Sequence, residues 1–137
     1  MSKQKQEAAS LRNQSLPLEG IKVLELSHIV AGPSGGMILG DLGAEVIKIE
    51  QPGHGDTARS HANEGATFFT FNRNKKYLAL DLKNPEGKQV FEKLVADADI
   101  VLDNFAPGAL KRLGLDYEWG SKVNPGIIYC SVKGFLP

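Results

Sequence analysis

The segment from Gly20 to Asp56, GIKVLELSHIVAGPSGGMILGDLGAEVIKIEQPGHGD, most constrains what this chain can fold into. Two short apolar runs, Ile21 to Leu26 and Glu45 to Glu50, flank a stretch of helical length, which predicts a βαβ unit. Ala31 to Ser34 forms the turn. Pro33 is placed to open a helix running to about Leu42, and Gly43 ends it without a Cβ penalty.

The alternation continues. Gln51 to Asp56 is turn chemistry, and Asp56 to Ala66 lacks periodicity and reads as a loop. Phe68 to Phe71 is a short apolar patch before the polar turn Asn72 to Lys76. A third strand is expected at Tyr77 to Leu82. Asn84-Pro85-Glu86 then starts a helix whose Val90, Phe91, Leu94 and Val95 share one face. Ile100 to Leu102 predicts a strand, Ala109 to Leu113 a short helix stopped by Gly114, and Asp116 caps a further turn through Trp119. Ile127 to Val132 is the last expected strand.

Strands alternating with helices imply an α/β, Rossmann-like fold: a mainly parallel sheet with helices on both faces. Right-handed crossovers place residues 27–34, 51–56, 81–85, 103–108 and 133 onward at one sheet edge. Ligands of such sheets bind outside the carboxyl ends of the strands. Residues 1–16 read as a disordered polar tail and 17–137 as one domain, with 42% hydrophobic residues to build its core.

Sixteen basic residues balance sixteen acidic ones, which excludes the basic field of a nucleic-acid binder. The single cysteine, Cys130, excludes a disulfide framework within the chain and suits a reducing compartment. No apolar run approaches the roughly 20 residues that span a bilayer, so no membrane partner is expected. The mildly basic start, MSKQKQEAASLRNQSL, lacks the apolar core of a signal peptide. The cytosol is the expected location, with a mitochondrial presequence as the alternative reading.

Several ligands compete for the loop edge. Glu50 ends the second strand about where a ribose-binding acid of an NAD site belongs. The turn, however, reads A-G-P-S-G-G rather than G-x-G-x-x-G, and Pro33 lacks a backbone donor. Cations are available for phosphates at Lys83, Lys111, Arg112 and the Arg73 to Lys76 cluster, although a surface cation is usually just solvated. Val30, Ala31, Leu80 and Leu82 offer small or apolar walls, and Asn104 a neutral hydrogen-bonding group. That mixture suits a long ligand with a phosphorylated head and an apolar arm. His28 follows the first strand and could face a ligand, although a loop histidine is more often a hydrogen-bonded bystander; His54 and His61 have no Cys or acidic partner at metal spacing, so no metal is expected. Cys130 reads as packing, and no Ser-His-acid constellation can be assembled.

The blocks PLEGIKVLELSHIVAGP, LGDLGAEVIKIEQPGHGD, FNRNKKYLALDLKNPEGK, ADIVLDNFAPGALKRLGL and NPGIIYCSVKGF, in this order, resemble the class III CoA-transferases. That family includes formyl-CoA transferase, carnitine and bile-acid CoA-transferases, and α-methylacyl-CoA racemase. The resemblance runs from about Pro17 to Phe135 and implies coenzyme A as the ligand, with an acyl-CoA and a carboxylic acid acceptor as substrates. It implies that Val30 and Ala31 flank the pantetheine and thioester region. Leu80, Asp81, Leu82 and Lys83 would line the adenine and phosphate end. Asn104, Phe105 and Ala106 would hold the cofactor after the fourth strand, and Arg112 would reach a phosphate. For Asp81, bonding to its own turn is the competing reading.

Two departures stand out. Gln51 occupies a position where many members carry an Arg for the nucleotide end, and the chain reads Leu136-Pro137 where relatives continue with Gly and a polar turn. The resemblance implies a catalytic Asp carboxylate, or the racemase branch's His and Asp, beyond Pro137; no residue here inherits those roles. It also implies longer, two-domain proteins that form interlocked homodimers. The fold is therefore expected to be incomplete at its C-terminal end, and the isolated chain inactive and prone to self-association. A non-catalytic CoA- or nucleotide-binding module and part of a racemase-like enzyme are the alternatives.

Overall fold

The computed structural model describes residues 15–60 and 65–134. Residues 1–14 of the expected tail, His61 and the terminal Leu136-Pro137 lie outside these. The element order is β1 (Lys22–Leu26), α1 (Ala31–Asp41), β2 (Glu45–Glu50), a 3-10 turn (Thr57–Arg59), α2 (Ala66–Phe71) and β3 (Lys75–Ala79). Then follow α3 (Pro85–Ala96), β4 (Ile100–Asp103), α4 (Ala109–Leu113), α5 (Tyr117–Val123) and β5 (Ile128–Ser131).

The strands form one parallel sheet in the order β3-β2-β1-β4-β5. The chain winds outward from β1 to β3, then crosses back to lay β4 on the other side of β1. The loops after β1 and β4 therefore diverge in opposite directions, which opens a crevice at the carboxyl edge.

Period-two alternation divides the core between the two faces. Leu24, Leu26, Ile49 and Val101 pack with Phe91 and Val95 of α3 and with Leu110 and Leu115. Phe91 also stacks on Trp119 of α5, ring centroids 6.0 Å apart. On the opposite face Val23, Val46 and Leu102 pack with Leu39 of α1. Helix α3 starts as its sequence predicts: the Asn84 side chain accepts from the Glu86 N–H, and Pro85 is the first helical residue.

The βαβ opening, the helix after Asn84 and the fourth and fifth strands are found close to their expected places. The third strand is not. It runs over Lys75–Ala79 rather than Tyr77 to Leu82, so Lys75 and Lys76 of the expected polar turn are strand residues. Leu80 still donates its N–H to Glu50 C=O at 2.9 Å, but Asp81 turns the chain by accepting from Lys83 N–H at 2.9 Å. The apolar patch at 68–71 belongs to α2, and the loop from Asp56 contains a 3-10 turn capped by the Asp56 side chain.

Candidate functional site

The turn after β1 sits on a buried charge cluster. Glu25 of β1, Lys48 of β2, Asp56 and Lys75 of β3 have fully buried side chains. Lys48 Nζ lies 2.9 Å from Glu25 Oε1 and 2.9 Å from Asp56 Oδ2, and it donates to the Ser27 carbonyl at 2.6 Å. Lys75 Nζ lies 2.7 Å from Glu25 Oε2 and donates to Pro33 C=O and Asn72 Oδ1, both at 2.9 Å. Two carboxylates thus neutralise two ammonium groups, and hydrogen bonds to neutral oxygens complete both cations, which is what keeps buried charge tolerable.

The cluster explains the glycines of A-G-P-S-G-G. A Cβ on Gly36 would overlap the Glu25 carboxylate, and one on Gly32 would overlap the Ser27 side chain. These two glycines let α1 press onto Glu25 and Ser27. Glu50 is likewise committed. Arg59 Nε and Nη2 donate to its two carboxylate oxygens at 2.9 and 3.0 Å, while the guanidinium lies 3.6 Å from the Phe68 ring centroid. The acid that an NAD reading would give to a ribose is already bound.

At the crevice between the β1 and β4 loops lies a cleft of about 140 Å³. Leu26, Ile49, Leu80, Leu82, Phe105 and Leu113 give it apolar walls, and His28, Glu50, Gln51, Asp81 and Lys83 supply polar groups. The Lys83 ammonium makes no ion pair or hydrogen bond among the described residues. An apolar slot with an uncommitted cation suits a flat or aliphatic ligand bearing a phosphate.

Of the residues expected at the ligand, Leu80 to Lys83 and Phe105 line this cleft together. Asn104 instead clamps the β1 turn: it accepts from His28 N–H at 2.9 Å and donates to His28 C=O at 2.8 Å. Ala106 lines a separate hollow beside Asp103 and Lys133. Arg112 is exposed on α4, where Nη1 reaches Pro107 C=O at 3.4 Å. Val30 caps α1 and Ala31 begins it; both are exposed and neither lines the cleft.

The cations of the Arg73 to Lys76 cluster are each paired within the protein. Arg73 pairs with Asp41, Lys76 with Glu45, and Lys75 is inside the charge cluster. His28, which the sequence left as a bystander, lines the cleft and stacks on Phe105 with centroids 5.3 Å apart. Among the described residues no three His, Cys, Asp or Glu side chains gather to hold a metal ion, and no helix is long and apolar enough to cross a membrane.

Two groups of the turn couple stability to pH. Burial pushes the His28 imidazole below its ordinary 6.5, against the pull of the Asp56 carboxylate. The unfolded chain takes up this proton near pH 6.5 while the fold resists it. Stability is therefore lost as pH falls from 6.5 toward the folded value, at up to about 1.4 kcal/mol per pH unit. Burial alone would raise the Asp56 carboxyl, but the N–H groups of Ala58 and Ile29 and the Lys48 ammonium outweigh it and hold it below 3.8. Its contribution is present above 3.8 and lost as pH falls further. Denaturant titrations at pH 7, 6 and 5 are expected to show falling stability in the wild type and a flatter profile in His28→Phe. Parallel profiles would remove His28 from this account.

An open parallel α/β sheet with a cleft at its switch point is an architecture in which ligands bind at the carboxyl edge. The chain belongs to CoA-transferase family III, whose pattern it matches over residues 18–137. It is 44% identical over 128 residues to succinyl-CoA:glutarate CoA-transferase of Homo sapiens, which covers 90% of this chain and 29% of that protein. It is 42% identical over 125 residues to formyl-CoA:oxalate CoA-transferase of Afipia carboxidovorans, covering 88% of this chain and 30% of that one. Among solved structures, a CAIB/BAIF family protein from Brucella suis superposes with a TM-score of 0.83 at 45% identity, covering 89% of this chain and 34% of that one. A hypothetical protein from Mycobacterium tuberculosis gives a TM-score of 0.84 at 41% identity, over 88% and 34% of the two chains. The chain thus spans about a third or less of the relatives it matches.

Proposed function

We propose that this chain is the CoA-binding portion of an enzyme that moves CoA from an acyl-CoA to a carboxylic acid. The observation that carries the reading is the cleft at the β1–β4 switch point, where Leu80 to Lys83 and Phe105 line one slot and the Lys83 ammonium has no partner among the described residues. Lys83 would meet a phosphate and the apolar walls the adenine, while Val30 and Ala31 at the start of α1 would flank the pantetheine and thioester region. Arg112, exposed on α4, and Ala106 would reach the same ligand from the β4 side.

In the reaction proposed, an Asp carboxylate attacks the donor thioester to give a mixed anhydride and free CoA thiolate. The thiolate returns to the Asp carbonyl, releases the donor acid and leaves an aspartyl-CoA thioester, and CoA then passes to the acceptor acid. The family resemblance implies an Asp beyond Pro137 for this role, and no residue of this chain takes it. The chain's own residues bind and orient CoA, so turnover by the isolated chain would refute this division of labour. The named relatives act on glutarate and oxalate, both dicarboxylates, which supports the transferase over the racemase branch and a dicarboxylic acid as the acceptor class. The interlocked homodimer is the proposed assembly, and the cytosol the proposed location.

Calorimetric titration with CoA tests the reading. Lys83→Ala is expected to weaken CoA binding about tenfold, the scale of one charge-assisted phosphate contact. Gln51→Arg is expected to strengthen it, since a cation would then join Lys83 at the cleft. Preference for NADH over CoA would sink the proposal.

A further inference from the structure

His28 lies at the switch point in a turn whose conformation its sequence disfavours. Ile29 is β-branched yet has φ 69°, a left-handed conformation that costs a non-glycine residue about 1–2 kcal/mol. The fold holds the turn there from both sides. Asn104 binds both backbone groups of His28, Asp56 Oδ1 accepts from Ile29 N–H at 3.0 Å, and Lys48 donates to Ser27 C=O. The imidazole is thereby pressed against Phe105, 21° from parallel, on the wall of the cleft.

Burial lowers the imidazole pKa below its ordinary 6.5, which favours the neutral ring at pH 7. Its Nδ1 is buried without a partner, whereas Nε2, which makes no hydrogen bond among the described residues, is not among the buried unpartnered atoms. A buried N–H with no acceptor is rarer and costlier than a buried bare acceptor. The single proton of the neutral ring therefore belongs on Nε2, and the cleft wall carries an N–H donor.

We propose that His28 is a further ligand-contact residue of this cleft, donating from Nε2–H to an acceptor atom at the adenosine end of the bound cofactor. The inference rests on the CoA reading above. CoA offers acceptors at both ends, as phosphate oxygens and adenine ring nitrogens or as pantetheine carbonyls. His28 shares its cleft with Leu80 to Lys83 and not with Val30 or Ala31, which selects the adenosine end.

The test titrates the full chain with CoA, adenosine 3′,5′-bisphosphate and pantetheine. His28→Phe keeps a ring against Phe105 and removes the donor; it is expected to weaken CoA and the bisphosphate about tenfold and leave pantetheine unchanged. His28→Gln returns an amide donor and is expected to recover most of the loss. Unchanged CoA affinity in His28→Phe, or a loss confined to pantetheine, overturns the proposal. Imidazole ¹⁵N spectra of the ligand-free protein give a second reading: the Nε2–H tautomer supports it and the Nδ1–H tautomer overturns it, even where CoA binds. Failure of the wild type to bind CoA at all removes the CoA reading and this contact with it, whatever the tautomer.

Discussion

Glu25→Ala is expected to lower the unfolding free energy by about 3–5 kcal/mol, the cost of breaking a buried ion pair from one side. Glu25 is the common partner of Lys48 and Lys75, so its removal leaves two buried ammonium groups with one remaining carboxylate, Asp56. Burial already pushes Lys75 below its ordinary 10.5, against the pull of Glu25. Without that pull the folded state binds fewer protons than the unfolded one, so the variant is expected to recover stability as pH rises toward 10. Lys76→Ala, which breaks an exposed pair with Glu45, serves as the control and should change little. Urea titrations of both variants at pH 7 and pH 9.5 decide the matter. A Glu25→Ala loss no larger than that of the control would mean the cluster contributes nothing specific.

Gly87→Ala is expected to damage fold and site together. Gly87 lies in the first turn of α3, and a Cβ there would overlap the backbone carbonyl of Asp81. A side chain could rotate away; a backbone carbonyl cannot, so the 80–84 loop must shift. Overpacking of this kind costs about 1–3 kcal/mol. Because that loop lines the cleft, CoA affinity should fall with it, about as much as in Lys83→Ala or more. Glu92→Ala, on the exposed side of the same helix, should stay within about 0.5 kcal/mol. Loss of stability with intact CoA affinity would separate the loop from the site.

The fold was legible where apolar runs of strand length met helix signals, as from Ile21 to Glu50 and at Asn84-Pro85-Glu86. It was illegible at β3. Arg73 to Lys76 look like a solvated turn, and only the distant Glu25 makes Lys75 an interior residue. A signal did exist in KVLEL and EVIKIE, since a charge in the middle of a buried parallel strand calls for a buried partner. Spacing alone could not gather Leu80 to Lys83 with Phe105; the resemblance nominated them, and the crossover from β3 back to β4 accounts for their meeting. His28 reads as a bystander in the sequence because its setting arises from Asn104, Asp56 and Phe105, contributed by two other loops.

The charge cluster also bears on how the chain reaches its fold. Its members come from three strands and the loop after β2, and no smaller subset gives every buried oxygen and ammonium the partners it has in the full cluster. Docking β1 on β2 alone would bury Lys48 with Glu25 but leave one carboxylate oxygen facing an empty position until Lys75 arrives. A half-built sheet therefore carries a penalty that vanishes only when β3 is added. This half of the domain should assemble in a single concerted step, with few populated intermediates on the way.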